Sequence, residues 1–329
     1  MKPFHENHFD SIQALRGIAA VFVILEHIRF LNCGAFGVDI FFCISGFMIM
    51  FSTHKGGKHF LSKRAIRILP LYYLMTLGTF ILLLVFPSMF EQTTANPVFL
   101  LKSLCFIPFD IGNGVLQPLL RIGWTINCEV FFYLIFYIAM HISHKYRGIL
   151  CSFLLGLPVL FAQLCPVTFA PLSFYGNPVM LEFVLGILTY YLCMWLYNCH
   201  SKGRLPKITG TPALLTALII LAVLTITKKS SNTLGFFRLP VWGLPAMLIV
   251  LCFFVAGLFL KAPRPLVQLG NMSFSLYLTH YYPVLLLDRM VFDFSSCTPY
   301  ALLGVAVSIA VCLPLAYACW YLVEKRLRV

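Results

Sequence analysis

SIQALRGIAAVFVILEHIRFLNCGAFGVDIFFCISGF, residues 11–47, sets an arginine and a histidine inside an otherwise apolar helix. Arg16 and His27 are eleven residues apart, about three helical turns. That brings them within ~20° of one face and ~16 Å apart along it. This separation is about half of a ~30 Å hydrocarbon core. Ionisable groups at such depth are costly and mark a functional site by default. The bland alternative is a cytoplasmic charge anchor followed by one packed core histidine.

Working outward, the rest of the chain is as apolar as this stretch. Of 329 residues, 60% are hydrophobic and 11% charged, with a mean hydropathy of +0.90. A soluble domain carries about a quarter charged residues, so the expected fold class is all-α, a polytopic membrane helix bundle. The net charge of +13 does not point to nucleic acid. The basic residues sit in short loops between apolar runs, as membrane orientation requires, and form no amphipathic basic face. The twelve cysteines include no C-x-x-C pair, and Cys43, Cys128, Cys252 and Cys312 lie inside apolar runs. They read as small buried hydrophobes, with neither a disulfide framework nor a metal site signalled. The first apolar run keeps Arg16, Glu26 and His27 and has no small-residue cleavage pattern. It reads as a retained span, not a signal peptide.

About ten spans are predicted, at 12–31, 36–53, 68–87, 124–142, 149–165, 178–197, 211–227, 239–260, 266–287 and 300–323, each near the length a bilayer requires. The run 97–107 is shorter, holds Lys102 and reads as an interfacial or re-entrant piece. With the N-terminus inside, 16 Lys and Arg fall in inner segments and 6 in outer ones, which places both termini in the cytoplasm. The loop 228–238 runs against that rule. The longest connection, 88–123, is broken by Pro, Asn and Gly. It is placed outside as a lid over an external cavity. Residues 1–329 read as one transmembrane domain with short cytoplasmic tails at 1–11 and 324–329 and no appended soluble domain. No internal repeat is visible, which weakens a transporter built on duplicated halves.

Depth then sorts the polar residues into two layers. His27, Asp39, Glu129, Glu182 and His280 all fall in the outer half of their spans, a candidate site lined by carboxylates and imidazoles. Arg16, Arg64 and Arg67 form a basic inner layer, with Tyr72 and Tyr73 a turn or more deeper and Pro70 in the first turn of its span. Arginine is favoured where paired N–H donors grip phosphate. The two layers suit a phosphate-bearing molecule docked at the inner arginines. Its long, pantetheine-like arm would run up the bundle to place its reactive end at His27.

These segments resemble the membrane-bound acyltransferase 3 family, which O-acylates surface polysaccharides and related glycans. Arg16, ten residues and His27 resemble its N-terminal signature, and FGVDIFFCISGF (36–47) its second-span segment. RAIRILPLYY (64–73) and WTINCEVFFYL (124–134) resemble its arginine-rich and Trp–Ser/Thr–Glu–Phe–Tyr motifs. LEFVLGI (181–187) and GNMSFSLYLTHYYP (270–283) resemble its later motifs. Six segments in order span essentially the whole chain. Thr125 stands where serine is common, which keeps the hydroxyl. The resemblance implies an acyl-CoA donor, usually acetyl-CoA, with no permanently bound cofactor. It implies donor binding by Arg16, Arg64 and Arg67 and a catalytic role for His27; Tyr72, by its position above the arginines, is added to the expected donor site.

The leading expectation is an O-acyltransferase in a bacterial cytoplasmic (inner) membrane. The acceptor would be an extracytoplasmic glycan: O-antigen of lipopolysaccharide, exopolysaccharide or a lipid-linked sugar. His27 would act as general base or as a covalent acyl carrier, oriented by Asp39 or Glu129. Trp124, Glu182, Tyr277 and His280 would face the acceptor. The alternative is a proton-coupled transporter or flippase of a glycan or small anion. It explains the outer layer but gives no reason for the inner arginines.

Overall fold

The structure, a computed structural model, describes residues 3–87, 94–112, 114–227 and 235–327, the side chain of Phe236 excepted. Lys2, Lys228, Lys229 and Arg328, which enter the charge count, lie outside these residues. Among the described residues there is no strand, only an isolated bridge between Asp110 and Leu116. The helices are α1 Asp10–Glu26, α2 Gly37–Ser52, α3 Phe60–Val85, α4 Pro97–Leu104, α5 Trp124–Ile142, α6 Arg147–Leu164, α7 Ala170–Tyr175, α8 Leu181–Ser201, α9 Gly210–Thr227, α10 Leu244–Phe259, α11 Arg264–Asn271, α12 Ser273–Thr279, α13 Tyr281–Leu287 and α14 Pro299–Cys319. A wide π turn, Leu239–Gly243, leads into α10, and a second, Trp320–Glu324, carries α14 on to Leu327.

Among the described residues, seven helical runs are long and apolar enough to cross a membrane. They correspond to seven of the ten predicted spans. The other three depart for physical reasons. The helix predicted over 12–31 stops at Glu26, where the chain turns back on itself. Glu26 Oε2 accepts hydrogen bonds from the Gly34 and Ala35 amides at 2.8 and 2.9 Å. The helix over 36–53 is real but only 16 residues long. The span over 266–287 is three short helices broken at Met272 and His280. Pro283 lacks an N–H for the Thr279 carbonyl and its ring crowds that group. Broken helices are tolerated at membrane depth where protein covers them.

By packing, the chain forms two compact units, residues 1–56 with 181–318 and residues 57–180 with 319–329. In the first unit, α2 and α8 cross at two glycines. A Cβ on Gly46 would stand 2.8 Å from the Gly186 Cα and closer still to the Phe183 carbonyl. Small residues permit such approach where apolar burial cannot drive helices together. A second glycine crossing joins α1 to α11, where a Cβ on Gly17 would lie 2.9 Å from the Gly270 amide nitrogen. At one end of this unit the N-terminal residues are packed, not loose. Phe4 is buried among the rings of Phe9, Phe51, Tyr190, Tyr197 and Phe254, and the His5 and His54 rings stack at 3.7 Å.

The crossing makes a stability prediction. Gly46→Ala should destabilise the protein by ~1–3 kcal/mol, because only backbone is there to move. Gly78→Ala meets nothing within 4 Å and should be neutral or slightly stabilising. Thermal unfolding of the two variants in detergent compares them directly.

In the second unit α3 and α5 run antiparallel. Phe60 packs on Phe136 at 5.8 Å between ring centroids, and the Arg64 guanidinium lies 5.3 Å from the centre of the Tyr133 ring. The helix predicted to start near residue 68 starts at Phe60. Lys and Arg are good helix formers, so the basic stretch is itself helical and Pro70 sits in the helix interior, not in its first turn. Helix also continues past residue 324, where Glu324 is buried.

Candidate functional site

The first unit brings His27 and His280 together. α1 is unbroken from Asp10, so Arg16 and His27, its C-terminal cap, do share one helix. Arg16 Nη1 lies 3.4 Å from Gln13 Oε1, and Gln13 in turn bonds Asn271 at 2.9 Å. His27 is ten residues beyond Gly17 and His280 ten beyond Gly270. From the glycine crossing the two segments run on until the two rings meet. His280 Nε2 lies 3.2 Å from His27 Nδ1, with ring centroids 4.9 Å apart. His280 is fully buried, whereas His27 is half-buried. Tyr277 is buried one turn back, its ring 6.0 Å from His280.

Just beyond the pair, Arg29 clamps the two chain segments. Its Nε and Nη2 donate to the two carboxylate oxygens of Asp288, each at 2.8 Å, and Nη2 also reaches Asp293 at 2.8 Å. Hydrogen bonds from the Ser295 hydroxyl and amide, with Arg29 nearby, hold the Asp293 carboxyl below the usual carboxylate range. The clamp follows His27 by two residues and His280 by eight.

Asp39 and Glu182 meet a partner that sequence reasoning missed. Both are fully buried, in the first turns of α2 and α8. Arg238 donates to Asp39 in a fork, Nε to Oδ1 at 3.1 Å and Nη2 to Oδ2 at 2.8 Å. Its Nε also makes an ion-pair contact with Glu182 Oε1 at 3.4 Å. The guanidinium stacks 4.8 Å from the Trp242 ring centre, and its charge also acts on Glu26. In the sequence Arg238 is only a cation in a loop that breaks the charge rule. The available signal was the counter-ion demand of two buried carboxylates. Both Asp39 oxygens are engaged by Arg238, and the rings packed on His27 include those of His280 and Tyr281, at 4.9 and 5.4 Å between centroids.

The second unit gathers the remaining residues. The Tyr133 hydroxyl donates to Glu129 Oε1. Arg64 lies over the Phe60 and Tyr133 rings. The carboxylates of Glu129 and Glu324 lie near enough for their charges to act on Arg67. With Arg64 over Tyr133, Tyr133 bonded to Glu129 and the two helices antiparallel, Arg67 and Glu129, each about one turn further on, stand at one level of the α3–α5 pair, which corrects their assignment to opposite layers. The longer α3 carries Arg67 about 10 Å in from Phe60. Tyr72 is fully buried, donates to the Ser103 carbonyl at 3.0 Å and stacks on Phe106 at 4.9 Å. It thus holds α4 against α3. Trp124 opens α5 and is half-buried.

The two sites offer different chemistry. One presents an imidazole pair beside a buried, charge-paired core. The other presents two arginines backed by aromatic rings and carboxylates. Comparison with known proteins supplies a context for both. The family model described as "Acyltransferase domain" matches residues 9–317. The chain is 30% identical to the exopolysaccharide production protein ExoZ of Rhizobium meliloti, over 76% of this chain and 77% of that protein. It is 26% identical to the putative peptidoglycan O-acetyltransferase YrhL of Bacillus subtilis, over 99% of this chain and 56% of that one. It is 24% identical to the peptidoglycan O-acetyltransferase OatA of Listeria monocytogenes, over 88% of this chain and 51% of that one. The chain thus spans about half the length of the two peptidoglycan relatives. No solved structure matches it.

Proposed function

The chain is an acyltransferase belonging to the acyltransferase 3 family, and from that premise we propose that it moves an acyl group, acetyl foremost, from cytoplasmic acyl-CoA to a hydroxyl of a glycan outside a bacterial inner membrane. The observation that carries this reading is the single helix joining Arg16 to His27, with the His27 ring seated against His280. The names of the relatives, exopolysaccharide production and peptidoglycan O-acetylation, support a surface glycan as acceptor class. Residues 1–329 act as one acyltransferase domain of ten membrane-crossing segments, the two short helices and the broken one included, with both termini in the cytoplasm. Reporters fused after Lys58 should then read cytoplasmic and one near Gly112 external. A cytoplasmic signal at Gly112 would reverse the sidedness.

Arg16, Arg64 and Arg67 bind the phosphates of the donor. His27 takes the proton of the acceptor hydroxyl or carries the acyl group, and Trp124 and Tyr277 contact the acceptor. Each charge-assisted phosphate contact is worth about 1.5–3 kcal/mol. Replacing Arg64 and Arg67 together by alanine should therefore weaken acyl-CoA binding at least ~10- to 100-fold, with lysine recovering part of it. Unchanged donor affinity would make these residues topology anchors. The functional test is mass spectrometry of surface glycans from cells with and without the chain. Loss of an acyl ester from one glycan supports the proposal, and identical acylation in the two strains overturns it.

A further inference from the structure

We infer that His280 is a positioning residue that, by accepting from Nδ1 of His27, sets the direction of that ring and leaves Nε2 as its reactive nitrogen. The inference rests on the reading of His27 as base or acyl carrier. It follows from where the protons must lie. His280 Nδ1 is 2.7 Å from the Tyr277 carbonyl oxygen and 3.2 Å from that of Leu276. A carbonyl only accepts, so Nδ1 carries a hydrogen, and neutral His280 presents a lone pair at Nε2. That lone pair faces His27 Nδ1 at 3.2 Å, and the same Nδ1 is 2.9 Å from the Val23 carbonyl oxygen. His27 Nδ1 therefore confronts two acceptors, and only a hydrogen on Nδ1 satisfies both. The lone pair of neutral His27 then sits on Nε2.

Val23 lies on the same helix as His27 and sets only the tautomer. His280 comes from a separate segment, held by the glycine crossing and the Arg29 clamp, and so sets the direction of the ring. As base, Nε2 takes the hydroxyl proton while the acceptor oxygen bonds to the acyl carbon. The C–S bond breaks, and the departing thiolate then takes the proton from Nε2. As nucleophile, Nε2 bonds to the acyl carbon and the thiolate leaves. The acceptor oxygen then displaces Nε2, and its proton ends on the thiolate. In either route His27 becomes cationic while His280 stays neutral and accepts from Nδ1–H. His280 touches no reacting atom.

The test uses the full chain in nanodiscs with 15N-labelled histidine. In the wild type, the His27 signals, identified by their loss in His27→Gln, should show a protonated Nδ1 and an unprotonated Nε2. His280→Phe keeps a ring but offers no acceptor, so kcat should fall roughly 10- to 100-fold while the KM for acetyl-CoA holds. His280→Gln, whose amide oxygen can accept from Nδ1–H, should recover much of that loss. A proton on Nε2 in the wild type would overturn the inference, as would normal turnover per folded molecule in His280→Phe. So would a His280→Gln variant as impaired as His280→Phe. If His280→Phe does not fold, the wild-type spectrum and the Gln variant still decide. Active His27→Gln protein would sink the acyltransfer role of His27, a separate failure from a misplaced proton.

Discussion

His27→Gln protein should bind acyl-CoA normally and transfer almost nothing. Glutamine keeps the size and some of the hydrogen bonding of the ring but cannot take a proton or carry an acyl group. Loss of general base catalysis alone removes ~10²–10⁴-fold. Donor binding is assigned to arginines about three turns down the same helix and in the other unit, so it should survive. The competing outcome is a packed histidine whose loss lowers yield and thermal stability while the folded fraction still turns over. Acyl transfer per folded molecule, with donor affinity measured in the same preparation, separates the two. Asp39→Asn acts by another route, through the Arg238 fork, and should lower stability together with activity.

Arg238→Met should be among the most destabilising single changes. It strands two fully buried carboxylates, Asp39 and Glu182, in the first turns of α2 and α8. Removing one partner of a buried pair costs ~3–5 kcal/mol, because the charge left behind is uncompensated. The triple variant Arg238→Met, Asp39→Leu, Glu182→Met removes every charge and should regain most of that stability. Thermal unfolding of both in the same detergent checks the pair. Wild-type stability in Arg238→Met would show that the cluster holds nothing together.

Much of this arrangement can be read before any coordinates. The alignment of Arg16 with His27 needs only an unbroken helix, and α1 is unbroken between them. Seven of the predicted spans are legible because length and apolarity decide them. The break within 270–283 was signalled by Pro283, but hydropathy averages over a span and hides a single missing N–H. Hydropathy places the start of α3 near residue 68 and not at Phe60 because it locates where a helix becomes apolar, not where its backbone begins to coil. A late start for α3 separates Arg67 from Glu129, although the contacts of Arg64 and Tyr133 put them at one level. Arg238 was illegible for another reason. Its partners are Asp39, 199 residues away, and Glu182 on α8, and no local pattern encodes a long-range pairing. His280 carried a signal, a histidine at the depth of His27, but nothing in the sequence sets the two rings face to edge.

The most direct test of the central claim is to incubate the purified wild-type chain, reconstituted in liposomes, with acetyl-CoA labelled in the acetyl group and to follow both halves of the donor. An acyltransferase releases free CoA thiol and passes the label to an alkali-labile ester on an added glycan acceptor or to water, and both signals vanish in His27→Gln. A transporter leaves the thioester intact. Release of no thiol and formation of no labelled ester, from folded protein shown to bind acetyl-CoA, would contradict the assignment.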